Sequence, residues 1–284
     1  MELDKTIYYN KIKSVITLIY FIYFIIWVSK FHSNLPLSLE NHEIHQKGNH
    51  TIKRGISLLG GSNVRTGLSS EYISNKFYEC YNFGISGEGG SFSEYTNFIG
   101  NRISSPDIVI YSPSYIWSDY TYTDNTNYFD FLPSYSIISQ IKAFIYTSDS
   151  NQLNFNSFGD QLEYNCNDRF KSFIINEQKF TSNNTFVISE IIRRVEKIKN
   201  LTQSDKVLIR IPPVYVNISN KKFISQNMIK RIKSLKESGI IVVGGTICSS
   251  DKSLFCDNFH PNDKGRKFFS IELKNEIKKI LIGD

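Results

Sequence analysis

Five short apolar runs, separated by segments of helical length, constrain this chain more than any other feature. They are GISLLG (55–60), FYECYNFG (77–84), PDIVIYSP (106–113), DKVLIRIPP (205–213) and GIIVVGG (239–245). Strand-sized runs alternating with helices point to parallel pairing, because a parallel partner is reached only through a crossover connection. The Ile-Val-Ile centre of the third run suits a strand covered on both faces. Helices are expected at 67–76 and about 90–101, behind the first two strands. Another is expected at 185–201, where Val187, Ile191, Val195 and Ile198 share one face, and two more at 225–239 and 262–281. The expected fold class is α/β with a central parallel sheet.

A chain of 284 residues holds one full-sized domain and an accessory segment. The domain is expected over 54–284. Within it, 116–181 is rich in Tyr, Phe, Asn, Ser and Asp and lacks clean periodicity, so it reads as an insertion. Its aromatics either stack on sugar rings or pack on the domain. Upstream, SVITLIYFIYFIIWV (14–28) contains no charge and approaches the length of a bilayer span. Lys5, Lys11 and Lys13 precede it, whereas Glu40 and Glu43 follow, which places the N-terminus in the cytoplasm. The expectation is a cytoplasmic N-terminus with a single-pass transmembrane helix over 1–30, a linker over 31–53, and a periplasmic or extracellular domain. A cleaved signal peptide and a buried core helix are the alternatives; no Ala-x-Ala-like site follows the apolar run.

The net charge of +6 is spread along the chain, with no long Lys/Arg run and no nucleic-acid-binding module, so no nucleic-acid partner is expected. Four cysteines in an exported domain are compatible with two disulfides. Cys248 and Cys256, closing CSSDKSLFC, form the first expected pair, and Cys80 with Cys166 the second by elimination. Neither a C-x-x-C spacing nor a Cys/His cluster is present. His42, His45 and His50 fall in a polar stretch that reads as solvated linker, and no metal or cofactor is expected.

In LLGGSNVRTGLSS (58–70) an apolar run ends in two glycines and a serine, Ser62, before a helix-like pattern. Such a turn at the C-terminal end of a strand lies where open α/β sheets place ligands. Ser62 is therefore either a nucleophile or a helix cap. A catalytic serine needs a base, a group orienting that base, and donors for the developing oxyanion. Asp257 and His260, in CDNFHPNDKG, are three residues apart, so one turn can aim both side chains the same way. His260 is also the only histidine outside the N-terminal linker.

Taken together, LLGGSN with Ser62, YNFGISGEGG with Gly84, and DNFHPNDKG with Asp257 and His260 resemble blocks one, two and five of the SGNH/GDSL hydrolase superfamily, across roughly 55–281. The resemblance implies a flavodoxin-like three-layer α/β/α sandwich. It implies Ser62 as nucleophile, the N–H groups of Ser62 and Gly84 in an oxyanion hole, and Asp257 and His260 completing a triad. Two departures stand out. Gly61 occupies a position that is often Asp in the first block, and SPSYIWSD (112–119) has no match to the Gly-x-Asn-Asp of the third. Ser112, Ser114 or an asparagine of the insertion are the candidates to replace that asparagine. With an anchored domain outside the membrane, the chain looks most like superfamily members that modify cell-envelope polysaccharides. Those transfer or remove O-acetyl groups through an acyl-serine attacked by sugar or by water. The implied partners are the membrane, a carbohydrate substrate and, for transfer, a membrane-embedded acyl donor. A general carboxylester hydrolase or lipase and a non-catalytic glycan-binding or assembly protein are the alternatives.

Overall fold

The computed structural model describes residues 13–21, 55–85, 99, 103, 106–117, 155–162 and 185–282. Contacts divide the chain into two units, 1–42 with 134–149 and 43–133 with 150–284. In the second unit the elements run β1 (Ile56–Gly60), α1 (Ser62–Arg65), α2 (Ser70–Ile73), β2 (Cys80–Asn82) and β3 (Ile108–Ser112). They continue with α3 (Thr185–Thr202), β4 (Val207–Arg210), β5 (Val214–Tyr215), α4 (Ile218–Glu237), β6 (Ile241–Val243), β7 (Cys248–Ser249) and α5 (Asp263–Ile282). Two 3-10 turns lie at Ser114–Trp117 and Lys252–Leu254.

β2, β1, β3, β4 and β6 form one sheet in that spatial order, and every neighbouring pair is parallel. Counted in chain order the sequence of strands is 2-1-3-4-5, the doubly wound arrangement of flavodoxin-like folds. The chain leaves β1 toward β2 on one side and returns across β1 to β3 on the other. The ends of β1 and β3 therefore flank the switch point, where such sheets leave a crevice.

Alternation along the strands sorts the core into two layers. Leu59, Val109, Tyr111, Val207 and Ile209 pack with Val187, Ile191, Val195 and Ile198 of α3 and with Ile224, Met228 and Leu235 of α4. Ile56, Leu58, Ile108, Ile110 and Leu208 face the other way, onto Val64, Leu68 and Ile73 and onto Phe269, Leu273 and Ile277 of α5. Each such side chain contributes about 1.5–3 kcal/mol by leaving water. Burial on both faces explains why the strands read as continuous apolar runs.

Several boundaries differ from the sequence reading. In place of the single helix expected at 67–76 there are two short helices, Ser62–Arg65 and Ser70–Ile73, with Gly67 between them packed so closely that a Cβ would lie 2.3 Å from Asn63 O and 3.0 Å from Pro261 Cδ. α4 begins at Ile218, well before the expected 225, and Ile218 is 78% exposed; an apolar residue facing water hides the start of the periodicity. β5 and β7, a separate parallel pair, are too short to register as apolar runs. The expected helix near 90–101, apart from residue 99, the linker 31–53, and all of the insertion but 116–117 and 155–162 lie outside the described residues.

The transmembrane helix is a correction. In the first unit the described residues are 13–21, helical with exposed side chains. Among the described residues no helix is long and apolar enough to cross a membrane. The membrane-anchored, periplasmic or extracellular placement that rested on such a helix falls with it. Residues 22–28 of the expected span lie outside the described residues.

The disulfide pairing is a second correction. Cys80 and Cys248 are free and buried, so neither expected pair forms. Cys248 packs in the core beside Val214 and Val216, while Cys256, which is disulfide-bonded, follows the second 3-10 turn. Cys166 lies outside the described residues. Burial pushes both free thiols up, which leaves little thiolate to react. Alkylation of native protein should leave Cys80 and Cys248 unmodified; alkylation in denaturant without reductant should modify both and spare Cys256, as read by peptide mass mapping.

Candidate active site

β1 delivers the chain to the switch point and Gly60 turns it. Its φ is +151°, and a Cβ there would lie 2.5 Å from Val64 Cγ2 and 2.6 Å from Ser112 O. Gly61 then acts as the N-cap of α1, its carbonyl accepting from Val64 N at 3.0 Å and Arg65 N at 3.1 Å. Ser62 is thus the first helical residue and not the cap. Its hydroxyl is left for a partner elsewhere.

That partner is His260, 198 residues on, with Oγ 2.8 Å from Nε2. His260 Nδ1 lies 2.7 Å from Asp257 Oδ2. The other carboxylate oxygen, Oδ1, accepts from Phe259 N at 2.7 Å and His260 N at 2.8 Å, so a tight turn holds Asp257 and His260 on one side. His260 O accepts from Cys256 N at 2.8 Å and Phe255 bridges Pro261, which closes the loop. Asn262 leads into α5, its Oδ1 accepting from Gly265 N at 3.0 Å. Only glycine fits at 265, where a Cβ would lie 2.0 Å from Leu254 O.

Burial pushes the Asp257 carboxyl up. The hydrogen bond and charge of His260, with the N–H groups of Phe259 and His260, outweigh it and hold Asp257 below its ordinary value. An ionised Asp257 accepts the Nδ1 proton, so Nε2 is the acceptor and the Ser62 hydroxyl donates to it. The side chains of His260 and Asp257 are 27% and 29% exposed, which leaves the row open to a reactant from solvent. Chemically, the arrangement can take the serine proton as Oγ attacks and return it to a leaving group.

The remaining expected residues are placed differently. Gly84 N–H donates to Asn82 Oδ1 at 2.9 Å, so it is engaged inside the protein and is not offered to an oxyanion. Ser112, at the end of β3, is buried, and its O and Oγ accept from Asn63 Nδ2 at 3.1 and 3.3 Å. Ser114 opens the exposed start of the first 3-10 turn. The expectation of no metal is not tested, since His42, His45 and His50 lie outside the described residues. Among the described residues no group of three His, Cys, Asp or Glu could hold an ion. Sequence reasoning missed Asn63, Asn82 and Asp160, polar residues inside a core whose only signal was their type.

No family model and no curated protein matches this chain. Among solved structures it is similar to the periplasmic domain of a lipopolysaccharide acetyltransferase from Salmonella ser. Paratyphi A. That match has 14% identity and a TM-score of 0.45, over 84% of this chain and 88% of that one. It is also similar to a family two carbohydrate esterase from Clostridium thermocellum, solved with cellohexaose, at 11% identity and TM-score 0.42, over 82% of this chain and 66% of that one. A third is an acetyl xylan esterase from the rumen bacterium Butyrivibrio proteoclasticus, at 9% identity and TM-score 0.38, over 82% and 65%. The chain spans about two thirds of the length of the two esterases. The functional reading rests on the geometry of Ser62, His260 and Asp257.

A carboxylate depressed in the folded state stabilises above its unfolded pKa of about 3.9, and that contribution disappears as pH falls through the lower folded value. Urea unfolding of wild type and Asp257→Asn should show wild type ahead at pH 6, with the gap closing below about pH 4. A gap that stays constant down to pH 2 would refute the assignment.

Proposed function

We propose that this protein is a serine-dependent acyl-transfer enzyme acting on O-acyl esters of a polysaccharide, with Ser62 as nucleophile, His260 as base and Asp257 orienting the imidazole. The observation that carries the reading is the unbroken row from Ser62 Oγ to His260 Nε2 at 2.8 Å and from His260 Nδ1 to Asp257 at 2.7 Å. A serine hydroxyl is a weak nucleophile on its own, and this row supplies what activates it. Polysaccharide as the substrate class comes from the resemblance of the three motifs to the SGNH/GDSL superfamily.

In this reading the Ser62 oxygen attacks the ester carbonyl carbon as its proton passes to His260 Nε2. The tetrahedral intermediate collapses when the imidazolium protonates the departing alkoxide, which leaves an acyl-Ser62 ester. Water or a sugar hydroxyl then attacks, its proton going to His260, and Ser62 is released with its proton restored. Asp257 stays ionised throughout and stabilises the imidazolium. The Ser62 N–H, on the first turn of α1, is the oxyanion donor in this scheme, and such a donor is worth about 2.7–4 kcal/mol.

Full-length protein should hydrolyse p-nitrophenyl acetate and take a fluorophosphonate label on Ser62. Ser62→Ala and His260→Ala should each lower kcat by about 10³-fold or more. A wild type as inert as Ser62→Ala and unlabelled at Ser62 would refute the proposal. Incubation with an acetylated donor and an oligosaccharide acceptor separates the two outcomes: an acceptor heavier by one acetyl group indicates transfer, and free acetate alone indicates hydrolysis.

A further inference from the structure

Ser62 and His260 come from elements far apart in the chain, so their contact depends on how α1 and α2 sit against α5. Beside them lies the segment 155–162, whose backbone is folded by Asn156 Oδ1 accepting from Phe158 N and Asp160 N, each at 2.9 Å. Asp160 is only 2% exposed. Its Oδ1 accepts from Ser70 N at 2.7 Å and Asn82 Nδ2 at 3.3 Å, and its Oδ2 from Ser69 Oγ at 2.8 Å and Glu71 N at 3.1 Å. Ser69, the N-cap of α2, makes no side-chain capping bond of its own. A carboxylate 90 residues away caps the helix instead.

Asn82 extends this tie to the nucleophile. It is fully buried, and its Nδ2 also donates to Val64 O at 3.0 Å and Leu68 O at 3.1 Å, the carbonyls just beyond Ser62. Its N–H donates to Phe158 O at 2.9 Å, and a Cβ at Gly159 would lie 2.5 Å from Asn82 O, so the segment seats directly on β2. On the other side, Arg266 Nη1 of α5 donates to Gln161 O at 2.7 Å. Ser270 Oγ donates to Arg266 O at 2.6 Å and accepts from Ser69 N at 2.8 Å. Two adjacent residues, Asp160 and Gln161, therefore grip the nucleophile side and the base side of the row.

We propose that Asp160 is a positioning residue: with the Gln161 carbonyl it forms a brace that sets the Ser62–His260 distance. The proposal rests on Ser62 acting as the nucleophile. Polar bonds fix direction as well as separation, which apolar packing between α2 and α5 does less strictly. A displacement of about 1 Å at a reacting pair costs about 10²-fold in rate. Because p-nitrophenyl acetate is small, a loosened brace changes the chemical step and not ester binding; kcat is taken per folded molecule, since a partly unfolded sample lowers apparent kcat at unchanged KM in the same way, whereas the Ser62 labelling rate constant of the folded molecules falls only if the site itself is displaced.

The test uses full-length Asp160→Ala and the milder Asp160→Asn, whose amide keeps one acceptor and turns the other into a donor facing Ser69 Oγ and Glu71 N. Ile277→Val, a core change in α5, serves as the comparison for destabilisation. Expected are a kcat for p-nitrophenyl acetate lowered about ten- to a hundredfold in Asp160→Ala, a KM within about twofold of wild type, and a fluorophosphonate labelling rate of Ser62 reduced by the same factor as kcat. Ile277→Val should keep wild-type kcat and labelling. If Asp160→Ala does not fold by circular dichroism, Asp160→Asn decides, with a smaller loss in the same two readouts. Folded variants with wild-type kcat and labelling, or with raised KM at unchanged kcat, overturn the brace. An inert, unlabelled wild type overturns the nucleophile reading and the brace together, and it differs from failure of the brace alone because it is seen before any substitution at 160.

Discussion

The 2.8 Å contact between Ser62 Oγ and His260 Nε2 is the interaction around which this structure is arranged. It requires two loops, one following β1 and one preceding α5, to open on the same edge of the sheet. The parallel sheet sends the loop after β1 to its C-terminal edge, and the chain after β6 reaches the start of α5 through β7 and the second 3-10 turn. Within each loop a glycine decides the path: Gly60 turns the chain against Ser112 O, and Gly265 lets α5 start against Leu254 O. Neither position has room for a Cβ.

Around that contact the protein buries polar groups in a core otherwise made of aliphatic and aromatic side chains. A buried donor or acceptor left without a partner costs about 1–3 kcal/mol, so such groups must find each other. Asn82 and Asp160 do so with the backbone of α1 and α2, and Asn63 through its Nδ2 with Ser112, while Asn63 Oδ1 and Ser70 Oγ stay buried without a partner. Directional bonds of this kind fix the register of the turn carrying Ser62 more narrowly than apolar packing alone. The free N–H groups of α2 are met by a residue of the insertion, so a segment outside the alternating strand–helix pattern completes the element that follows the Ser62 turn.

Much of this was legible beforehand, for identifiable reasons. The strand runs were visible because burial makes their residues mostly apolar, and α3 because Val187, Ile191, Val195 and Ile198 keep a helical spacing. Asp257 and His260 were legible because their geometry is local, a single turn. Ser62 stayed ambiguous because capping and catalysis ask for the same residue in the same place. Gly84 was read as an oxyanion donor since its motif resembled the second block, yet its N–H is taken by Asn82. The cysteines misled because short spacing is not proximity: Cys248 is in the core and Cys256 past a turn. The apolar run at 14–28 suggests a span through its lack of charge, yet among the described residues no helix is long and apolar enough to cross a membrane.

The sequence by itself determined the five strands of the main sheet, the buried face of α3, and that Asp257 and His260 fall within one turn, because these follow from side-chain periodicity and neighbours within a turn. Only the tertiary structure decided that Ser62 meets His260 and that Asp160 caps α2. Those outcomes depend on contacts between residues 90 or 198 positions apart. Their partners are chosen by the packing of the whole sheet, so no local pattern encodes them.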